Sequence, residues 1–155
     1  INCKTGTFVL PETEKRWQVL GPIAENVSKL LEENKPNLVI LEQTSAFAGN
    51  RFVTFQISQC IGAILLLCLN NDIDVEFVYP THVKKVLTGS GKATKVQLCK
   101  GIEIALARFN IKKLKYDSEH GSDALGNIIS WLIDQKQVEP VVEEPLKTKK
   151  GKKNG

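Results

Sequence analysis

Four apolar residues in succession, rich in branched side chains, run into a carboxylate at Asn37-Leu38-Val39-Ile40-Leu41-Glu42-Gln43. Such a run reads as a β-strand buried on both faces, which requires a sheet with cover on each side. Side chains along a strand alternate with period two, so Leu38, Ile40 and Glu42 share a face. In an open parallel sheet the ligand crevice lies beyond the carboxyl ends of the strands. Glu42 therefore stands where an α/β protein places its chemistry. A lone strand-end Glu more often marks the point where a strand meets water, but a second cluster near the C-terminus shifts that balance.

At 155 residues the chain is expected to form one domain with a real core, and its 42% hydrophobic and 25% charged content is ordinary for a soluble globular protein. The longest apolar run, Ile61 to Leu69, falls short of a bilayer span, so no membrane partner is expected. Ile1-Asn2-Cys3-Lys4 does not read as a signal peptide, and the sequence contains no Met, which points to a fragment or to a true start further upstream. Cys3, Cys60, Cys68 and Cys99 form no C-x-x-C pair, and the last three lie among apolar residues. They read as reduced, mostly buried thiols of a cytoplasmic protein.

The net charge of +4 is uneven. Lys147, Lys149, Lys150, Lys152 and Lys153 crowd the tail, and without them 16 basic residues face 17 acidic ones, a body at −1. Such a tail suits salt-sensitive contact with a polyanion or, equally, a solvated tail that aids solubility. From Val138 the chain is rich in Pro, Glu and Lys, which divides it into a domain over 1–137 and an expected disordered basic tail over 138–155.

Thr7 to Leu10 reads as a short strand ended by Pro11. Glu12 to Asn34 reads as a helix, with Gly21-Pro22 breaking it in two and Pro22 in a first turn. Phe52 to Leu69 is the most apolar helix; hydrophobic on more than one face, it is either central or used for association. Val75 to Tyr79 is a second strand, stopped by Pro80. From Thr81 to Lys100 there are five lysines and His82 but no acid. Within this segment, Thr88-Gly89-Ser90-Gly91-Lys92-Ala93-Thr94-Lys95 opens a helix running to about Phe109. It suits phosphate binding or an ordinary Gly-Ser turn with a solvated basic face, and it does not meet the Walker A pattern. Asp117-Ser118-Glu119-His120-Gly121-Ser122-Asp123 then opens a last helix, Ala124 to about Gln135. His120 and Asp123, three apart, project from one side of a helical turn. Acidic residues also serve there as ordinary helix-start residues.

A strand-end Glu, a Lys- and Gly-rich loop and a His-x-x-Asp are the parts that phosphodiester chemistry needs. Carboxylates repel a phosphodiester unless cations intervene. Two divalent ions roughly 3.5–4 Å apart activate water and stabilise the leaving oxygen. Magnesium favours oxygen ligands, and lysines position the backbone with little sequence information.

The order of these motifs resembles the RuvC-type Holliday junction resolvases of the ribonuclease H-like superfamily. The resemblance rests on Pro36 to Gln43, Gln59-Cys60-Ile61-Gly62-Ala63-Ile64, Val83 to Lys95, and His120-Gly121-Ser122-Asp123-Ala124-Leu125. It spans roughly residues 5 to 136. It implies an α/β fold with a central mixed sheet flanked by helices. The implied activity is a metal-dependent endonuclease that hydrolyses branched DNA, four-way junctions, leaving a 5′-phosphate. The implied cofactors are two Mg2+ or Mn2+ ions.

Further roles follow from the resemblance. Glu42 would bridge two ions and Asp123 would be the terminal carboxylate ligand. His120, where many bacterial resolvases carry Asp, would serve the metal or a proton transfer. Lys84, Lys85, Lys92 and Lys95 would contact the DNA backbone. Phe47 would stack at the opened junction or, equally, anchor its loop on the core. The apolar helix would form a homodimer that cuts two opposed strands symmetrically. One departure stands out. The family begins with a strand carrying its first catalytic Asp, followed by a Gly-rich hairpin, and the chain starts where the family's third strand would lie. Either upstream residues supply the Asp, or the protein is a junction-binding module that does not cut.

Overall fold

Two parallel strands form the sheet. In the computed structural model, which describes residues 8–12, 15–43, 51–109 and 119–135, β1 (Leu38–Glu42) pairs with β2 (Asp74–Val78) in a register that sets Leu38 against Asp74 and Glu42 against Val78. Parallel neighbours cannot be joined by a tight hairpin, so a crossover must link them. Here it contains α2 (Arg51–Asn70), which packs against β2. The strand residues Leu38 to Leu41 are half-buried rather than enclosed on both faces, because the described sheet is only two strands wide.

Before the sheet, a 3-10 turn (Arg16–Val19) leads into α1 (Leu20–Asn34). The predicted helix over Glu12–Asn34 therefore begins late. Its break falls at the expected place, with Pro22 in the first turn of α1, where a missing N–H costs nothing. Phe8 to Leu10 belong to no strand, correcting the predicted strand over Thr7–Leu10. Val9 is 91% exposed, no strand among the described residues pairs with it, and Pro11 has no N–H to give to a ladder. The α1 helix ends at Lys35 in the left-handed region (φ 44), whose N–H donates to the Leu31 carbonyl at 2.8 Å.

After β2 the chain turns directly into α3 (Pro80–Thr88). Pro80 takes the first helical position, where its fixed φ favours the helix. The sequence reading had stopped the strand at Pro80 without starting a helix there. Gly89 (φ 78) closes α3 in a left-handed cap, its N–H donating to the Lys85 carbonyl at 2.8 Å. Then come α4 (Lys95–Arg108) and α5 (Glu119–Asp134).

The core lies among α3, α4 and α5 and reaches the end of β2. Leu87 and Ile102 are almost wholly excluded from water, with Val83, Leu98, Leu125 and Ile129 around them. Each such side chain stabilises the fold by about 1.5–3 kcal/mol relative to exposure. Glycines let these helices approach. A Cβ at Gly101 would lie 2.4 Å from the Leu87 carbonyl oxygen, and one at Gly126 would lie 3.3 Å from Ile102 Cδ1 and 3.4 Å from Val83 Cγ1. The α5 helix also packs against β1, which brings the ends of the two elements together.

The α2 helix packs against α1, and Cys68 is fully buried. The rest of α2 is far less covered: Phe55 is 63% exposed, and Leu66 and Leu69 are exposed as well. Of the two readings of this helix, central or used for association, its exposure favours the second. By length and composition alone it could cross a membrane, whereas the run considered in the sequence was shorter. Its contacts with α1 and β2 make it part of the domain body. Cys60 and Cys99 are half-buried free thiols, less enclosed than expected, and Cys68 is a buried one.

Candidate active site

The end of β1 and the first turns of α5 meet in one cleft of about 240 Å³. Glu42, Lys84, Lys95, Asp123 and Asn127 supply its polar lining, and Pro80, Val83 and Leu98 its apolar wall. Two carboxylates and two ammonium groups thus share one concavity, drawn from β1, α3, α4 and α5.

Each is placed by local structure. Glu42 ends its strand with an exposed side chain. The ladder holds beneath it, since the Gln43 N–H donates to the Val78 carbonyl at 2.8 Å. Lys84 lies on α3, anchored through Val83 and Leu87 in the core. Lys95 is the first residue of α4 because Thr94 caps that helix. The Thr94 hydroxyl accepts from the Gln97 N–H at 3.3 Å, and the Gln97 side chain accepts from the Thr94 N–H at 2.8 Å. The Lys95 ammonium donates to Asp123 Oδ1, with both side chains 36% exposed.

The structure gathers some of the predicted residues and leaves others apart. Glu42, Asp123, Lys84 and Lys95 come together. Lys85 and Lys92 are exposed and do not line the cleft; Lys85 follows Lys84 on α3 and so cannot share its direction, and Lys92 lies in the turn between helices. His120 belongs to α5, one turn before Asp123, but its side chain lies outside the described part, as do Phe47 and the tail over 138–155. The glycines of the turn serve the fold itself. Gly89 caps α3, and a Cβ on Gly91 would sit 3.1 Å from the Thr81 carbonyl oxygen. The segment thus forms the tight turn that one of its two readings expects. Asn127 was not singled out from the sequence. Its signal was a lone amide, one turn beyond Asp123, inside an otherwise apolar run.

A family model described as crossover junction endodeoxyribonuclease RuvC matches residues 2–130. The chain belongs to the RuvC family. It is 31% identical over 123 residues to the RuvC of Pseudothermotoga lettingae, a match covering 77% of this chain and 72% of that protein. It is 30% identical over 120 residues to the RuvC of Fusobacterium nucleatum, covering 77% of this chain and 59% of the relative. With Halorhodospira halophila RuvC the figures are 30% identity, 60% of this chain and 55% of the relative. The chain thus spans from just over half to under three quarters of these relatives. Among solved structures, Thermus thermophilus RuvC superposes with a TM-score of 0.64 at 22% identity, covering 80% of this chain and 72% of that one. The same protein in complex with a Holliday junction substrate gives 0.64 at 19% identity, covering 80% and 73%. These likenesses show the RuvC fold, which is ribonuclease H-like and α/β, as the sequence led us to expect.

Proposed function

We propose that this chain is a metal-dependent endonuclease that resolves branched DNA, four-way junctions, by hydrolysing phosphodiester bonds. The observation that carries the proposal is the convergence of Glu42 and Asp123, 81 positions apart in the sequence, on one cleft with Lys84 and Lys95. Family membership and the junction complex of the Thermus thermophilus relative support the same substrate.

The donor set suits a hard divalent cation such as Mg2+ or Mn2+. Two carboxylates open onto the same space, and one of them already holds a cationic group, the Lys95 ammonium. Glu42 and Asp123 would hold the ions, with His120 joining from one turn earlier on α5. When bound, such ions neutralise phosphate charge and activate water. The protein's own part is positioning. Glu42 is fixed by the β1–β2 ladder and Asp123 by the packing of α5. Lys84 and Lys95 attract the backbone from the facing side, Lys85 and Lys92 add charge outside the cleft, and the apolar wall of Pro80, Val83 and Leu98 limits bulk water.

The chain would act as a homodimer through α2. Phe55, Ser58, Gly62, Leu66 and Leu69 form an exposed stripe at spacings of three and four, and nothing lies within 4 Å of a Cβ added at Gly62. A stripe with small residues at its centre lets two helices approach closely, and a self-complementary patch suits two-fold pairing. The free thiols of Cys60, Cys68 and Cys99 suit a reducing, cytoplasmic setting.

A second reading is a junction-binding module that does not cut. The acids lining the cleft are two, Glu42 and Asp123, and Lys95 already neutralises one of them. The experiment is cleavage and binding of a four-way junction by the chain and its Glu42→Gln variant. Cutting should fall by more than about 100-fold, beyond the loss typical of an outer-shell change, while binding survives. Equal cutting by both would overturn the site. Binding without cutting by the unmodified chain would favour the second reading.

A further inference from the structure

Asn127 is 7% exposed, lines the cleft with Glu42 and Asp123, and lies one turn beyond Asp123 on the same side of α5. Its side-chain amide has no hydrogen-bond partner among the described residues. A polar atom sealed from water without a partner is costly, and α5 carries two, Ser130 Oγ and Trp131 Nε1, neither of whose residues lines the cleft. The Asn127 amide is not sealed in this way: the little exposure it keeps is beside the cleft that its residue lines. Asn127 differs from them in lining a concavity that holds two carboxylates.

We propose that Asn127 is a third oxygen donor to a divalent cation held by Glu42 and Asp123, a role beyond the carboxylate and His set expected from the sequence. This rests on the nuclease reading above. An amide oxygen is a hard, neutral ligand that takes a place beside carboxylates around such ions. Because it is neutral, it adds coordination without adding to the repulsion between two carboxylates and an incoming phosphodiester. Because it is nearly enclosed, its orientation is set before the ion arrives and little side-chain freedom is lost on binding. The helix spacing fixes its direction as well: residues four apart on an α-helix lie above one another on one face. Asn127 thus forms the floor of a site whose rim is Asp123, with Glu42 facing both from the end of β1.

The test is Mn2+ binding to the full chain without DNA, followed by calorimetry and by the Mn2+ electron paramagnetic signal. The unmodified protein is compared with Asn127→Leu, Asn127→Asp and Glu42→Gln, each with a thermal melt. Leucine keeps the volume and removes the unpaired polar atoms. The expected result is a melting temperature equal to or above that of the parent, with Mn2+ affinity lower by about tenfold or more. Asn127→Asp should bind Mn2+ at least as tightly as the parent, which a merely structural role would not produce. Should Glu42→Gln weaken Mn2+ binding while Asn127→Leu binds like the parent, the assignment of Asn127 falls and the nuclease reading stands. Should neither variant change Mn2+ binding, both fall. Should Asn127→Leu melt well below the parent and Asn127→Asp also lose Mn2+, the amide is a packing residue and the proposal is overturned.

Discussion

The ammonium of Lys95 rests on the carboxylate of Asp123, two residues 28 apart in sequence and on different helices. That contact takes up one of the two oxygens of the carboxylate. An ion bound through the same oxygen would have to displace the ammonium, which would stay in the cleft that Lys84 also lines.

Replacing Lys95 with Met should therefore act in opposite directions on two ligands. Mn2+ affinity measured without DNA should rise by about two- to fivefold, the range that a part-exposed ion pair is worth. Junction affinity should fall, and the slope of its logarithm against log salt should become shallower by about one. Unchanged Mn2+ affinity would mean that the ion pair does not compete with the metal.

Gly101 is the tightest helix contact. A methyl at this position meets the Leu87 carbonyl at 2.4 Å, and backbone cannot swing aside as a flexible side chain can. Gly101→Ala should destabilise the fold by about 1–3 kcal/mol, read from urea denaturation midpoints at unchanged m-value. Gly62→Ala, with open space around it, should leave monomer stability near or above that of the parent, since alanine favours a helix interior by about 1 kcal/mol.

The α2 surface predicts a change of association rather than of folding. Leu66→Asp places a charge in the middle of the exposed stripe without touching the core among α3, α4 and α5. Sedimentation should show a shift from dimer to monomer, and paired cutting of the two opposed strands should become uncoupled. A variant that sediments like the parent would remove α2 from the interface.

Alkaline pH should expose the thiol of Cys68. Burial pushes its pKa up, so the folded chain holds the proton where the unfolded chain, with a thiol pKa of about 8.5, has begun to release it. The stability from this group is complete below that unfolded value and is lost progressively above it, as pH rises through the raised value of the folded chain. The melting temperature of the parent should fall across this window, and Cys68→Ala should show a flatter profile around a lower starting value.

Much of this was legible in the sequence because the signals were local. An apolar run ending in Glu42 marks a strand and its crevice, and Leu125, Ile128, Ile129, Leu132 and Ile133 mark an apolar stripe on α5, of which Leu125, Ile129 and Ile133 enter the core while Ile128 is 44% exposed. Helix periodicity places Asp123 at the start of that helix, but only packing brings it to Glu42. The lysines show the limit of composition. Lys84, Lys85, Lys92 and Lys95 look alike as charges, yet of these only Lys84 and Lys95 line the cleft, because helix phase turns Lys85 away from Lys84 and Lys92 sits in the turn between α3 and α4. Likewise, α3 was missed because Pro80 was read as an ending, when the same residue opens a helix. The glycines near residue 90 suit close approach of a ligand, and what local pattern does not reveal is that they also answer to Thr81 and to the cap of α3.

The bare hydrogen of Gly126 keeps α5 close to the wall of the cleft. It lies three residues beyond Asp123, pressed toward Ile102 and Val83, the second of which also walls the cleft. One added carbon there would press on those two side-chain ends, and a few tenths of an ångström would have to be found in the packing beneath Asp123. The fit of α5 against the wall of the cleft thus rests on one missing methyl group.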